Sequence, residues 1–402
     1  MQTAPIKAYQ YRWIILALYF LITVIIEIQW LTFASISSVA QVYYDVSVLQ
    51  IDFLSMIYMI VFIVLSIPAS YIIDTYGLKK GLTIGAVLTG VFSVIKALFA
   101  TDYLIVAIAQ TGLAAAQPFI LNAVTKVGAQ WFPQDERATV AGIGSLAQYV
   151  GIIIALAITP LLINEADTDG YGISFMLIIY GTVSLFSTLA FLLFFKESPP
   201  TPPSSISGSG RISPIEGMKS IFKSMDMKWL LLMFFVGLGI FNAVSTCIDQ
   251  ICGSLSVEET GMVGGIMLVG GVIGALIIPP ASDKVKKRKP FLTICMAAMI
   301  PGLIGLTIFT TFIPLMISGF VFGFFIMSAG PIGFQYGAER SFPSPESISQ
   351  GLILLTGQVS GILFVLGVNS FGVSTSMVIF IILTLLNVIL TFKISESYRS
   401  SN

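Results

Sequence analysis

Pro68-Ala69-Ser70-Tyr71-Ile72-Ile73-Asp74-Thr75-Tyr76-Gly77-Leu78-Lys79-Lys80 closes one long apolar run and opens the next. A related stretch, Gly274-Ala275-Leu276-Ile277-Ile278-Pro279-Pro280-Ala281-Ser282-Asp283-Lys284-Val285-Lys286-Lys287, stands at the equivalent place in the second half of the chain. An acid followed by basic residues at one helix end is an ordinary solvated turn. Its recurrence after the second apolar run of each half argues instead for a gating latch: the acid caps the positive end of a neighbouring helix, and the basic groups meet anionic headgroups or acidic partners. The latch residues expected on this reading are Asp74, Gly77, Lys79, Lys80, Asp283 and Lys284.

Outward from these turns the chain is a series of apolar blocks, at 13–34, 49–73, 82–100, 103–124, 138–163, 171–195, 229–251, 260–280, 291–309, 312–334, 347–367 and 371–392. Each is close to the roughly 20 residues that cross the hydrocarbon of a bilayer. With 56% hydrophobic and 10% charged residues, one soluble core could not hide the apolar surface, whereas lipid solvates it directly. The expected fold is an all-α membrane protein with twelve transmembrane helices in two six-helix bundles. The bundles are expected at 1–195 and 229–402, joined by a Pro-, Gly- and Ser-rich cytoplasmic linker at 196–228 that ends in a basic amphipathic stretch.

Charge orients the bundle. Lys7, Arg12, Lys79, Lys80, Lys126, Arg137, Lys196, Lys284, Arg340, Lys393 and Arg399 fall at the termini and in alternate connections, while Asp45, Asp52, Asp102, Glu165, Asp167, Asp169, Glu258 and Glu259 occupy the opposite ones. The expectation is an integral protein of the cell (inner) membrane with both termini cytoplasmic. The formal net charge is zero, which gives no reason to expect a nucleic-acid partner. The chain has no His, so imidazole relays and His ligands are excluded. Cys247, Cys252 and Cys295 are spaced like neither a metal site nor a disulfide framework. No cofactor or metal is expected.

Twelve spans in two halves, the long linker and the duplicated loop resemble the major facilitator superfamily of secondary transporters, with Pro68 standing where that loop usually begins on Gly. A narrower resemblance runs through Glu27-Ile28-Gln29-Trp30, Asp52-Phe53-Leu54-Ser55-Met56-Ile57-Tyr58-Met59, Ala116-Gln117-Pro118, Gln130-Trp131-Phe132, Asn242-Ala243-Val244-Ser245-Thr246 and Pro331-Ile332-Gly333-Phe334-Gln335-Tyr336-Gly337-Ala338-Glu339. These blocks are similar to the feline leukaemia virus subgroup C receptor-related carriers, a branch associated with choline and ethanolamine and also with haem. The resemblance implies a membrane-centre site with Trp30 and Gln117 from the first half and Gln358 from the second. The second aromatic falls at Phe241 or is replaced by Asn242, which weakens one wall of a quaternary-ammonium cage.

Read from the residues, Glu27 is a carboxylate in the middle of the first span, three residues before Trp30 and so on nearly the same face. It is expected to couple protons or pair with a cationic substrate, the alternative being a structural bond to another helix. Trp30 is read as cavity-facing rather than interfacial. Gln117 and Gln358 either contact substrate or tie helices together. Asn242 lies deeper in its span than Asp249. Asp52, Lys96 and Asp102 are placed at span ends as surface or gate groups that snorkel, and Glu339 with Arg340 as an inner-gate brace.

These features imply a secondary active or facilitative transporter of a small polar or cationic organic solute, a symporter, antiporter or uniporter working by alternating access, not an enzyme. Its expected partners are a small-molecule substrate, membrane lipid and either protons or sodium; it is expected to act as a monomer. A broad-specificity drug or metabolite exporter is the alternative.

Overall fold

The computed structural model describes residues 9–133, 136–163, 171–201, 221–257, 260–285, 287–341 and 346–396. Residues 202–220 of the expected linker, and Lys7, Glu165, Asp167, Asp169, Glu258, Glu259, Lys286 and Arg399, lie outside those residues, as do the side chains of Asp74, Arg137 and Asp283. The chain divides into two compact units, Met1–Phe33 with Val39–Gly208 and Ala34–Ser38 with Ser209–Asn402.

The first unit opens with α1 (Tyr11–Trp30); the 3-10 turn that follows (Ala34–Ile36) and the start of α2 (Ser37–Tyr44) are counted with the second unit, and the rest of α2 with the first. Then come α3 (Val48–Tyr76), α4 (Leu78–Leu98), α5 (Tyr103–Leu121), α6 (Val124–Trp131), α7 (Arg137–Ile153), α8 (Thr159–Leu162) and α9 (Tyr171–Phe194). A π-helical turn, Ile154–Ile158, joins α7 to α8 as one span. The second unit holds α10 (Met225–Thr246), α11 (Ile248–Ser254), α12 (Thr260–Val285), α13 (Lys289–Ile308), α14 (Phe312–Ser341), α15 (Glu346–Phe371) and α16 (Val373–Thr391). Among the described residues twelve helical spans are long and apolar enough to cross a membrane, as the hydropathy of the sequence implies. This is an all-α integral membrane protein.

Local chemistry sets the helix starts. Ser47 and Gln50 close a reciprocal capping box at α3, and Asp102 accepts from the Ile105 N–H (3.1 Å) at α5, each satisfying donors that the first helical turn leaves free. Gly77 separates α3 from α4 at φ 108°, a left-handed conformation that disfavours any residue with a Cβ. The helices then pack through small residues. A Cβ on Gly85 would meet the Ala116 carbonyl oxygen at 3.2 Å, and the Thr188 hydroxyl donates to the Ala86 carbonyl at 2.9 Å, which draws α4 against α5 and α9. In the second unit Gly270 faces the Phe320 carbonyl, and Gly274 that of Phe324, along the α12–α14 contact. Without a hydrophobic drive between helices in lipid, such close approach is what dispersion and packing require.

The uniform hydropathy of the first and seventh spans concealed one feature. Both helices break at the same geometry, α1 after Trp30 with Leu31 at φ −103°, ψ 20°, and α10 after Thr246 with Cys247 at φ −101°, ψ 21°. Each is followed by a short helix, and the residues singled out for substrate contact in these spans lie within about a turn of the break.

Two expectations are corrected. Asp52 and Lys96 were placed at span ends as snorkelling groups, but both are interior, with exposures of 2% and 1%. The reason for Lys96 is visible: the chain returning through α2 seals this end of the unit, with the Tyr44 hydroxyl bonded to the Ala100 carbonyl (2.8 Å) and the Phe33 ring over the amine. Asp102 is exposed, as expected.

Candidate substrate site and latches

Glu27 lies on the last turn of α1 before the break and is 1% exposed. Its Oε1 accepts from Gln117 Nε2 of α5 at 3.3 Å, so two of the singled-out residues meet directly. No cation lies within ion-pair distance of Glu27 among the described residues; its carboxylate has an amide for a partner and nothing positive. A Cβ on Gly151 would meet Val24 O at 2.5 Å and Glu27 Cβ at 2.7 Å, so α7 lies directly against the helix turn that carries the acid. Two phenols lie within electrostatic reach of it: Tyr19, whose hydroxyl donates to the Ile120 carbonyl (3.2 Å), and Tyr58 of α3. Tyr58 is 1% exposed, and its hydroxyl has no hydrogen-bond partner among the described residues.

Trp30 closes α1. Its Nε1–H donates to the Ser55 carbonyl (3.1 Å), and the Ser55 hydroxyl donates back to the Trp30 carbonyl (3.3 Å). This reciprocal pair fixes the indole and consumes its N–H, leaving the π surface of the ring without a polar role. In the second unit Asn242, 7% exposed on α10, donates its Nδ2–H to the Gly357 carbonyl at 3.1 Å on α15. Gly357 immediately precedes Gln358, so that bond brings Asn242 and Gln358 to one helix contact. Phe241 and Gln358 are both half-buried.

The end of the first unit that carries Gly77 is built around a residue the sequence reading passed over. The carboxylate of Glu197, just beyond α9, accepts from the Leu78 N–H (2.8 Å) and the Lys79 N–H (2.5 Å) at the start of α4, and a Cβ on Gly77 would lie 2.8 Å from it. The Trp131 indole holds the Glu197 carbonyl at 3.2 Å. The capping acid at the start of α4 is thus Glu197, while the side chain of Asp74 lies outside the described residues. The second unit repeats the device: Glu396 Oε1 accepts from the Arg288 N–H (2.7 Å) and the Lys289 N–H (3.4 Å) at the start of α13. Phe195-Lys196-Glu197-Ser198 and Phe392-Lys393-Ile394-Ser395-Glu396-Ser397 carried that signal as a second internal repeat. Beside the second cap, Arg288 pairs with Glu339 (3.2 Å) and Arg340 with Asp226 (3.2 Å). Lys80 and Lys284 are exposed.

A polytopic bundle of twelve spans, with buried polar groups beside helix breaks, defines a membrane carrier. The model of the Major Facilitator Superfamily matches residues 15–364, and the chain belongs to that superfamily: it is a secondary transporter working by alternating access, not an enzyme. It is 30% identical to solute carrier family 49 member A3 of Danio rerio over 92% of this chain and 81% of that protein, and lies in the same branch. It is 28% identical to the choline/ethanolamine transporter FLVCR1 of Felis catus, over 97% of this chain and 74% of that one, and 26% identical to FLVCR2 of Homo sapiens, over 98% and 79%. A bacterial homolog of the human lysosomal transporter Spinster, solved inward-facing and unoccupied, shares the fold with a TM-score of 0.76 at 12% identity, covering 96% of this chain and 97% of its own.

Proposed function

We propose that the transported solute is a small organic cation of the amine class, with choline and ethanolamine, named for the relatives, as the leading members. The observation that carries this reading is Glu27: a buried carboxylate whose partner is the neutral amide of Gln117 and which has no cation within ion-pair distance among the described residues. In a medium of low dielectric such a group calls for a positive partner, either an ammonium or a proton. Glu27 is therefore both the substrate anion and the coupling residue, Gln117 orients it, the fixed Trp30 ring offers a face to the cation, and the unpartnered Tyr58 hydroxyl can bond a substrate hydroxyl. Phe241, Asn242 and Gln358 are the second unit's substrate-contacting residues. A carboxylate prefers a cation that can donate N–H bonds over a fully methylated one, so ethanolamine is the better fit.

The remaining parts of the reading follow from charge. Lys79, Lys80, Lys196, Lys284 and Lys393 lie on the latch side of their spans, which supports a cell-membrane carrier with cytoplasmic termini and bundles at 1–195 and 229–402. Asp74, Gly77, Lys79, Lys80, Asp283, Lys284, Glu339 and Arg340 act as gate residues, joined by Glu197 and Glu396. Protons are the coupling ion that Glu27 supports, and a monomer suffices for the cycle.

The test is uptake of labelled ethanolamine and choline into proteoliposomes with and without an inward proton gradient, in wild type, Glu27→Gln and Trp30→Ala. Saturable uptake that both substitutions abolish is expected, with gradient stimulation lost in Glu27→Gln. Wild-type transport of either amine in Glu27→Gln would overturn the assignment.

A further inference from the structure

Lys96 is a buried ionisable group that the substrate reading leaves without a task. It sits near the end of α4 away from the latch, is 1% exposed, and has no carboxylate within ion-pair distance among the described residues. Setting aside Tyr11, Arg12, Tyr71, Asp74 and Tyr76, which lie toward the opposite ends of their helices, and Tyr171 at the start of α9, the ionisable groups on the elements around it are Tyr19 and Glu27 on α1, Tyr43 and Tyr44 on α2, Asp52 and Tyr58 on α3, Asp102 and Tyr103 at the start of α5, and Tyr180 on α9. None is hydrogen-bonded or ion-paired to it.

What the amine meets instead is neutral and closely specified. Gln110 Oε1 lies 3.0 Å away and Thr32 Oγ1 3.5 Å. The Gln110 amide cannot turn its nitrogen toward Lys96, because Nε2 already donates to the Gln29 carbonyl at 2.8 Å. The Thr32 hydroxyl spends its proton on the Ile28 carbonyl, also at 2.8 Å. Both therefore present lone pairs. Two acceptors satisfy the two N–H bonds of a neutral amine; an ammonium has a third donor, and the remaining neighbour is the face of Phe33, 5.7 Å from Nζ.

The cage thus suits the neutral form by hydrogen-bond count, and burial penalises the charged one. Acting the other way are the Phe33 ring and the negative end of the α1 dipole, whose last carbonyls reach Lys96 through Thr32 and Gln110. Neither protonation state is left without compensation, and a proton needs no cavity. The same two relays are bonded to the backbone of α1 at Ile28 and Gln29, between Glu27 and Trp30, so a change at Lys96 is felt on the turn that carries the substrate acid.

We propose that Lys96 is a second proton-binding group of the carrier, separate from Glu27, which gains a proton from water and returns it to water as the cage of Thr32, Gln110 and Phe33 opens and closes during the cycle. This rests on the transporter class and not on the amine reading.

Proton uptake by the purified, detergent-solubilised full chain, followed with an indicator dye between about pH 6 and pH 9, where a perturbed amine can titrate, measures it without any substrate. Lys96→Met and Lys96→Arg should each take up one proton fewer per molecule than wild type across this window; Lys96→Arg keeps a cation of similar length, so it reports even if the apolar variant fails to fold. Glu27→Gln should retain the step that both Lys96 variants lose. Equal proton counts in wild type and Lys96→Arg would overturn the proposal while leaving the amine assignment standing. Failure of amine uptake alongside a missing proton in the Lys96 variants would do the reverse.

Discussion

The two units have similar helices and opposite interiors. Inside the first, Glu27 and Lys96 are buried beside neutral partners and are not paired with one another. Inside the second, the corresponding depth is apolar or neutral, with Asn242 bonded to Gly357 and Asn387 to the Met233 carbonyl (2.9 Å). Of its ions, Arg288 and Glu339 form a pair near the end where α12 meets α13, and the buried Asp249 accepts from the Ser37 hydroxyl and the Ser38 N–H. An unpaired buried charge costs several kcal/mol, so a buried ion beside neutral partners is a place where a ligand or a proton can supply the missing partner. On the proposed reading the charge chemistry resides in the first unit, while the second supplies packing and neutral contacts.

The sharpest way to break this contrast is to compare neutralising substitutions. Glu27→Gln should lower amine transport by about tenfold or more, since removing an ion-to-ion contact forfeits at least about 1.4 kcal/mol. Its thermal midpoint in detergent should hold or rise, because a desolvated carboxylate disappears and the Gln117 bond can be kept. Asn242→Ala should lose about 1 kcal/mol of stability with one helix–helix hydrogen bond and change transport less. If Asn242→Ala were the more damaging to transport, the division of labour would fail.

Stability should show the reverse ranking. Glu339→Gln removes the partner of a guanidinium whose side chain is 5% exposed and should destabilise the chain by about 2–4 kcal/mol. Arg12→Met breaks the 2.9 Å pair with Glu136, whose side chains are 12% and 31% exposed, and should cost under about 1 kcal/mol. Denaturation midpoints of the two variants measure the difference. A smaller test probes the wall behind Glu27. Gly151→Ala places a Cβ against Val24 O and Glu27 Cβ and should cost about 1–3 kcal/mol by overpacking. Gly142→Ala meets nothing within 4 Å and should be neutral or stabilising by up to about 1 kcal/mol through helix propensity.

Much of this was legible in the sequence, and the gaps have physical causes. Span length and the duplicated acid–base turn are one-dimensional signals, so twelve helices and the family followed from them. Glu27 and Gln117 stood out because a polar group in an apolar run is costly wherever it points. Lys96 was misjudged because its distance from a span end says nothing of what seals that end; the α2 return decides it, and that is a tertiary fact. Tyr58 was quoted as part of a block but not as a site residue, since an aromatic in a span is usually packing. Glu197 and Glu396 look like solvated acids after their spans, and only the fold brings them to the starts of α4 and α13.

The smallest predicted effect concerns the strap of residues 34–38 on the second unit. Asp249 of α11 accepts from the Ser37 hydroxyl (3.1 Å) and the Ser38 N–H (2.7 Å), and Thr260 donates to the Ser35 carbonyl (3.0 Å). On the same short helix as Asp249, burial first and the charge of Asp249 second push the Cys252 thiol up to about 12. Cys252 should therefore resist maleimide near neutral pH in a variant that keeps it as the sole cysteine, because the thiolate is the nucleophile. Asp249→Asn then sets two effects against each other. Losing the charge favours the thiolate slightly whether or not the strap moves, while losing a charge-assisted acceptor loosens the strap and admits reagent. Since burial is the larger cause, the loosening should dominate, giving alkylation several-fold faster than charge removal alone explains. Rates in Asp249→Asn and Thr260→Val separate the two: the latter loosens the same strap and leaves the charge in place. Faster alkylation in both would identify the strap as the cover of this end of the unit, whereas acceleration confined to Asp249→Asn would show a purely electrostatic effect.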